Sequence, residues 1–594
     1  MVPSLTIRLE NSRAALEGKS RELSSTFVAA AALALLGFWL VWCGFHTVHK
    51  IVAYYTPLPM WDYWRVVENL NDYRSFHLSA LWRQHNEHRI VFPELAFALD
   101  MTLLHGQMLL PLALSSVSYL GAWMVLSSAF LSEASVPLFA RIFAVLISGV
   151  VAFFESIAGV LAIPFLLQWT LMQLASAVAI VSASKLRLPH SNKHLGTAIA
   201  ACIIASYSSG NALLLWPIVI AVALGVGARK RHVLILTGAA VFGIGIYFFG
   251  YRFTGGSKAG GFITSPLYAI QYVASYLSMP FGSIKSAGFG VKLGLGLCAA
   301  TLFLFVIAVA TRRLTSHANA VLFGYVCFTF LTALLIAGGR MEAGDPRFTA
   351  AHAFRYLSVP QMNWSATVLL LFSVLSGLRA IRKYLPVLAA AIVLVLWTIF
   401  PKLSPWMAGV TSFLTTQQLA TLSVESGLRD TDLMQAELYP DMGSLEPMLA
   451  RLKEQRLSIY YKGLNRFLGR PITSLGQIRR EEGFPGMVVD AIPVESGFRL
   501  RGWADRSGRN IPPVTLLFAD ESGVIVGFGR QFSAGYPPAL ASPFIPPSLG
   551  WVGFVPRQAR TALISAYVQV PGRTVVYPLG QAVELRVFNL APSQ

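Results

Sequence analysis

The sequence predicts an α-helical polytopic membrane protein with about eleven transmembrane helices and a C-terminal extracytoplasmic α+β region ending in a small β-sandwich. Three observations predict it. Of 594 residues, 55% are hydrophobic and only 13% charged, with a mean hydropathy of +0.58, whereas a soluble globular domain is about a quarter charged. Apolar runs able to cross a ~30 Å hydrocarbon core recur from residue 27 to residue 401. Beyond Pro401 the runs stop, and polar helical patterning gives way to short alternating strands.

In chain order, residues 1–26 form a polar tail carrying Arg8, Arg13, Lys19 and Arg21. The first apolar run, Phe27 to Val48, is too long for a cleavable signal and has no clear small-residue cleavage site. Further runs follow at 108–131, 139–157, 162–184, 195–208, 211–227, 232–250, 289–311, 318–338, 364–378 and 384–401. Eleven spans leave outside loops at 49–107, 251–288 and 339–363, inside a transmembrane module of 27–401. In the second loop, Gly255-Gly256-Ser257-Lys258 precedes an apolar stretch, Pro266 to Phe281, that would lie in the interface or re-enter the membrane. Residues 402–482 read as a helical linker region. Residues 483–594 read as the sandwich, from runs such as Phe498 to Trp503, Val514 to Phe518 and Leu563 to Val570.

The charge of +19 would suggest nucleic acid in a soluble chain. Here the compact basic clusters, Lys185 to Lys193, Arg229-Lys230-Arg231, Arg312-Arg313 and Arg379 to Lys383, fall in loops on one side of the predicted topology. The positive-inside bias accounts for them. It puts the N-terminus in the cytoplasm and the C-terminal region outside, as in a bacterial inner membrane, and no nucleic-acid partner is expected. The four cysteines all lie in apolar runs and read as core residues.

The candidate chemistry gathers in the outside loops. Asp62 follows the first span, between Trp61 and Trp64. Two readings fit: an interfacial loop with belt tryptophans and Asp62 capping a short helix, or a general base whose proton affinity the neighbouring rings raise. Downstream, Arg83, His85, His88 and Arg89 offer groups for lipid phosphate oxygens, with Glu87 beside them as a further substrate-site candidate, the histidines sharing a face if the stretch is helical. Histidines three apart do not make the zinc motif that needs four. The third loop carries Arg340, Arg347 and Arg355 with Tyr356, on the side that positive-inside bias depletes. A bound anion would explain these arginines, and so would pairing with Glu342 and Asp345. Glu155, at a span end, and Lys258 are further candidates, and Trp61 and Trp64 would contact the substrate beside Asp62.

Trp61-Asp62-Tyr63-Trp64, His85-Asn86-Glu87-His88-Arg89, Asn211-Ala212-Leu213-Leu214-Leu215-Trp216-Pro217 and Phe354-Arg355-Tyr356 are similar to stretches in bacterial members of the GT-C glycosyltransferases. The resemblance covers most of 27–401 in layout and only these short motifs in detail. It implies an inverting enzyme that uses a polyprenyl-phosphate sugar, with Asp62 as the base that deprotonates an acceptor hydroxyl on a glycan, lipid or protein. It also implies that the arginines stabilise the departing phosphate. The chain lacks the Asp-x-Asp of the metal-dependent oligosaccharyltransferase-like branch, so no metal or other cofactor is expected. Three competing readings are a lipid-linked glycan transporter or flippase, an O-antigen ligase or polymerase, and a non-enzymatic scaffold. The near absence of charge within the spans disfavours transport, and a ligase would leave the early Asp62 loop unexplained. A scaffold predicts that Asp62 is dispensable.

Overall fold

The computed structural model describes residues 30–252, 265–281, 287–341, 345, 348–382, 384–399, 404–479, 483–506, 513–532, 545–546, 549–557, 563–571, 574–580 and 582–585. Among these, seven helices are long and apolar enough to cross a membrane: Ala30–Ala53, Leu109–Leu131, Pro164–Ser184, Lys230–Phe248, Gly288–Ala310, His317–Arg340 and Ser358–Leu375. The remaining runs of the predicted eleven are helical too, but each differs from a plain span. Ser191–Ser206, Gly210–Gly225 and Leu385–Ile399 are short.

The run at 139–157 is a broken pair, Leu138–Ala152 and Glu155–Leu161, bent by 41°. A break at membrane depth frees backbone carbonyls that need partners. Gln361 supplies them, its amide donating to the carbonyls of Val151, Ala152 and Phe154 at 3.0, 3.1 and 3.3 Å. The expectation for Pro266 to Phe281 resolves into a helix, Pro266–Leu277, packed on Gly288–Ala310. Gly294 permits that approach: a Cβ there would lie 1.8 Å from the Ala274 carbonyl oxygen.

Contacts gather the basic loops at one end of the bundle. Ser184 hydrogen-bonds His317 at 2.9 Å, Arg313 donates to the Ser373 carbonyl at 3.3 Å, and His232 meets Asn192 at 3.3 Å. Chain connectivity puts the segment after Ala53 at the opposite end. That segment is a folded cap rather than an open loop: Tyr63, Trp64, Val67, Leu70, Phe97 and Met101 are buried. Buried Asp100 accepts the Met108 and Leu110 N–H groups at 2.7 and 3.1 Å, holding the first turn of Leu109–Leu131.

The C-terminal helices Ser404–Glu425, Thr431–Glu437 and Met442–Glu454 lead into a sheet. Its strands are β1 (Gln477–Ile478), β2 (Gly486–Val494), β3 (Gly497–Ala504), β4 (Thr515–Ala519), β5 (Ile525–Gln531), β6 (Gly550–Pro556), β7 (Leu563–Gln569), β8 (Val575–Pro578) and β9 (Val583–Glu584). They run β1-β8-β7-β4-β5-β6-β3-β2, with β9 added on β7. The expected sandwich is therefore one continuous ladder, not two separately hydrogen-bonded sheets. Both faces are buried. Leu517, Phe528, Val552 and Phe554 join the main core, which also holds Leu414 and Leu419 of Ser404–Glu425. Leu516, Phe518, Val526, Trp551 and Val568 enclose a second core on the other face. Arg499 fastens the sheet to the helices through buried Asp430, its Nε 2.8 Å from Oδ2.

Candidate functional site

Trp61 holds a left-handed backbone (φ 48°), unusual for a bulky side chain, and the surroundings hold it there. Its N–H donates to the Leu438 carbonyl at 2.7 Å. Its ring packs against the paired rings of Phe354, with centroids 6.0 Å apart, and Phe413, at 5.1 Å. Trp64, expected at the substrate, is instead fully buried and donates its indole N–H to the same Leu438 carbonyl at 3.2 Å. Three separate segments thus fix the turn that carries Asp62.

The Asp62 side chain is about half exposed, and its Oδ2 lies 3.5 Å from His85 Nε2. His85 is buried, and its other nitrogen, Nδ1, lies 3.2 Å from Arg65 Nη1. A guanidinium has no acceptor. Nδ1 must therefore accept from Arg65, which leaves the proton of a neutral imidazole on Nε2, pointing to Asp62. This hydrogen bond holds the carboxyl below its usual range; burial opposes the shift, and the charges of Arg355 and Arg340 add to it. The neighbouring rings were expected to raise its proton affinity. The balance runs the other way, because a donor and cations outweigh desolvation.

His85 and His88 do not share a helix face. Their backbones exchange hydrogen bonds of 2.7 and 2.8 Å across a tight turn, with Asn86 at φ 47°. The turn directs the two rings differently. His88 Nδ1 accepts the Gly210 N–H at 3.3 Å, and burial lowers its pKa to about 4, so it is neutral. Only glycine fits at 210, where a Cβ would lie 2.7 Å from the Tyr247 hydroxyl and 2.8 Å from His88 Nδ1. Glu87 reaches Arg340 at 3.2 Å.

Beyond this turn opens a cavity of about 670 Å³. Glu87, His88, Asn211, Arg340 and Tyr356 form its polar side; Leu213, Phe248, Leu331, Leu334, Leu335 and Ile336 form an apolar one. Leu334 and Leu335 are also exposed on the bundle's outer surface, where lipid tails would lie. The Arg355 guanidinium stands 5.1 Å above the Tyr356 ring. An ionised carboxylate, two guanidinium groups and an apolar trough are thus neighbours.

The chain matches no family model, no curated protein and no solved structure.

Other expected site residues lie elsewhere. Arg89 is buried, donating Nε to the Tyr247 carbonyl and Nη2 to that of Phe249, both at 2.7 Å, and Nη1 to that of Trp82. Its charge satisfies a helix C-terminus and is turned away from any phosphate. Arg83 pairs with Asp72 at 2.6 Å and with Asn69. Glu155 pairs with Lys50 at 2.7 Å beside a different crevice, lined by Trp39, Trp42 and Trp397. Lys258 and Arg347 lie outside the described residues. Among the described residues no three His, Cys, Asp or Glu side chains converge as metal ligands would.

Sequence reasoning missed Arg65, Phe413 and the Leu438 carbonyl. Arg65 carried a usable signal, being three residues after Asp62 and so within a helical turn of it.

Proposed function

We propose that this chain is a membrane glycosyltransferase that moves a sugar from a polyprenyl-phosphate carrier to an acceptor hydroxyl at the membrane's outer face, with inversion. The observation that carries the reading is the juxtaposition of ionised Asp62, and of the Arg355 and Arg340 charges that act on it, with a cavity that has an apolar wall and carries Arg340, paired with Glu87, on its polar side. A polyprenyl chain matches the wall, and a phosphate matches Arg340 and Arg355.

In the reaction, the acceptor oxygen attacks the anomeric carbon as the bond from that carbon to the phosphate oxygen breaks. The acceptor proton passes to Asp62, and the bond's electron pair leaves with the phosphate. A carboxylate of lowered pKa is a modest base, but it is fully in its base form at neutral pH. The acceptor oxygen becomes strongly acidic as its bond to carbon forms, so a late proton transfer suits Asp62. Arg340 and Arg355 oppose the charge that grows on the leaving group.

The end of the bundle holding Asp62 is opposite the one where the basic loops meet. With positive residues inside, the reaction belongs to the outer face and the sheet domain stands there too. The test is incubation of purified protein with a panel of polyprenyl-phosphate sugars and acceptors, reading released polyprenyl phosphate for wild type and Asp62→Asn.

A further inference from the structure

A second cavity, of about 370 Å³, lies where the first cap, the helix Ser404–Glu425 and the sheet meet. The fold does not account for one of its lining groups. The helix-facing side of the sheet is apolar through Leu517 and Phe528, yet two residues further along each strand it carries Thr515 and Arg530, paired across β4 and β5. Among the described residues the Arg530 guanidinium makes no hydrogen bond and no ion pair within salt-bridge distance, although Glu425 and Tyr54 influence it electrostatically. Arg530 is exposed to this space, and the five donors of its guanidinium are open to a ligand that enters it.

The groups opposite are also held apart. Glu425 accepts the Leu464 N–H at 3.2 Å, and burial pushes its pKa up to about 7. The Lys462 ammonium lies over the Tyr461 ring, 5.0 Å from its centre. Two cations and one weakly acidic carboxyl thus face a common space without closing a salt bridge. The remaining wall is rich in hydroxyl and amide groups, among them Thr56 and Thr421, whose hydroxyls lie 2.8 Å apart, and Gln107 and Gln418. Excess positive charge with hydroxyl-matching walls is the chemistry that recognises an acidic sugar.

The cavity is also wired to Asp62. The helix that ends in Glu425 donates from Gln418 to the Ala53 carbonyl at 2.8 Å and packs Phe413 against Trp61. We infer that this junction cavity is a second binding site, for a carboxylate-bearing sugar residue of the acceptor glycan. Calling that glycan the acceptor rests on the transferase reading; the binding itself does not.

The test is calorimetric titration of the full chain in detergent with a galacturonic acid trisaccharide and with its neutral galactose counterpart. The expected result is saturable binding of the acidic trisaccharide, at least tenfold weaker binding of the neutral one, and at least tenfold loss of the acidic one in both Arg530→Gln and Lys462→Gln. Size-exclusion profiles and thermal unfolding verify that both variants are folded, and Asp62→Asn is expected to bind as wild type does. Absence of acidic binding, equal affinity for the neutral trisaccharide, or unchanged affinity in folded Arg530→Gln each overturns the inference. Transfer from a polyprenyl-phosphate sugar to a simple alcohol acceptor, measured in the same preparation, stands or falls separately, because the acidic trisaccharide takes no part in it.

Discussion

Arg89 gives the sharpest separation between a ligand-binding role and a structural one. The side chain is 3% exposed and its guanidinium donates to three backbone carbonyls, two of them in or just past the last turn of Lys230–Phe248. Removing it in Arg89→Ala deletes three charge-assisted hydrogen bonds and leaves three carbonyls short of donors. Each such loss is worth about 1–3 kcal/mol. The losses are not additive, since water can enter the space, and about 3–5 kcal/mol is expected in all. Arg89→Lys keeps the charge, but one ammonium cannot serve carbonyls that diverge from a planar fork, so about 1–3 kcal/mol is expected. The assay is the thermal unfolding midpoint in detergent, used to rank wild type above Lys and Lys above Ala. The reasoning is refuted if Arg89→Ala unfolds within about 0.5 kcal/mol of wild type, as an ordinary surface change would. It is refuted equally if Arg89→Lys keeps its midpoint and loses only affinity for donor, the mark of a phosphate ligand.

Replacing His85 by Phe removes the donor that lowers the Asp62 pKa, so the acid limb of the pH–rate profile moves upward. His85→Gln restores a donor and is expected to restore the profile. His88 has a folded pKa of about 4 against 6.5 when unfolded, so only the unfolded state takes up its proton between these values. Stability falls as pH drops through that window, by no more than about 3 kcal/mol, and midpoints measured from pH 7.5 to 4.5 should fall less steeply in His88→Gln. Gly294→Ala drives a Cβ into the Ala274 backbone and is expected to cost about 1–3 kcal/mol or more, whereas Gly296→Ala on the same helix has nothing within 4 Å and is expected to be neutral or slightly stabilising in the same assay.

The helices were legible in the sequence because burial in lipid writes itself into long apolar runs. Their departures from regularity were not. The break after Ala152 lies inside an apolar run, and the group that satisfies its carbonyls, Gln361, is more than two hundred residues away. At the candidate site, Asp62, Arg340 and Arg355 stand out in the sequence by their chemistry, since charge near a membrane surface is sparse enough to notice. Their geometry was misread where local spacing was taken as helical. His85 and His88 have helical spacing, but Asn86 adopts left-handed backbone readily and closes a turn instead. The stretch from 402 to 482 read as a linker. Its role as the clamp on Trp61 depends on the Leu438 carbonyl and Phe413, contacts that no local pattern encodes. Arg89 looked like its neighbours in composition, and only its burial distinguishes it.

The central claim is that Asp62 accepts the proton of the attacking hydroxyl. The most direct test compares wild type with Asp62→Asn for release of polyprenyl phosphate from a polyprenyl-phosphate sugar in the presence of acceptor, with donor binding measured in parallel. Asn keeps the shape and removes the base. The account predicts unchanged donor binding and a rate lower by two or more decades, about 3 kcal/mol of barrier. Equal release by the two proteins would contradict it and make Asp62 a structural residue of the cap.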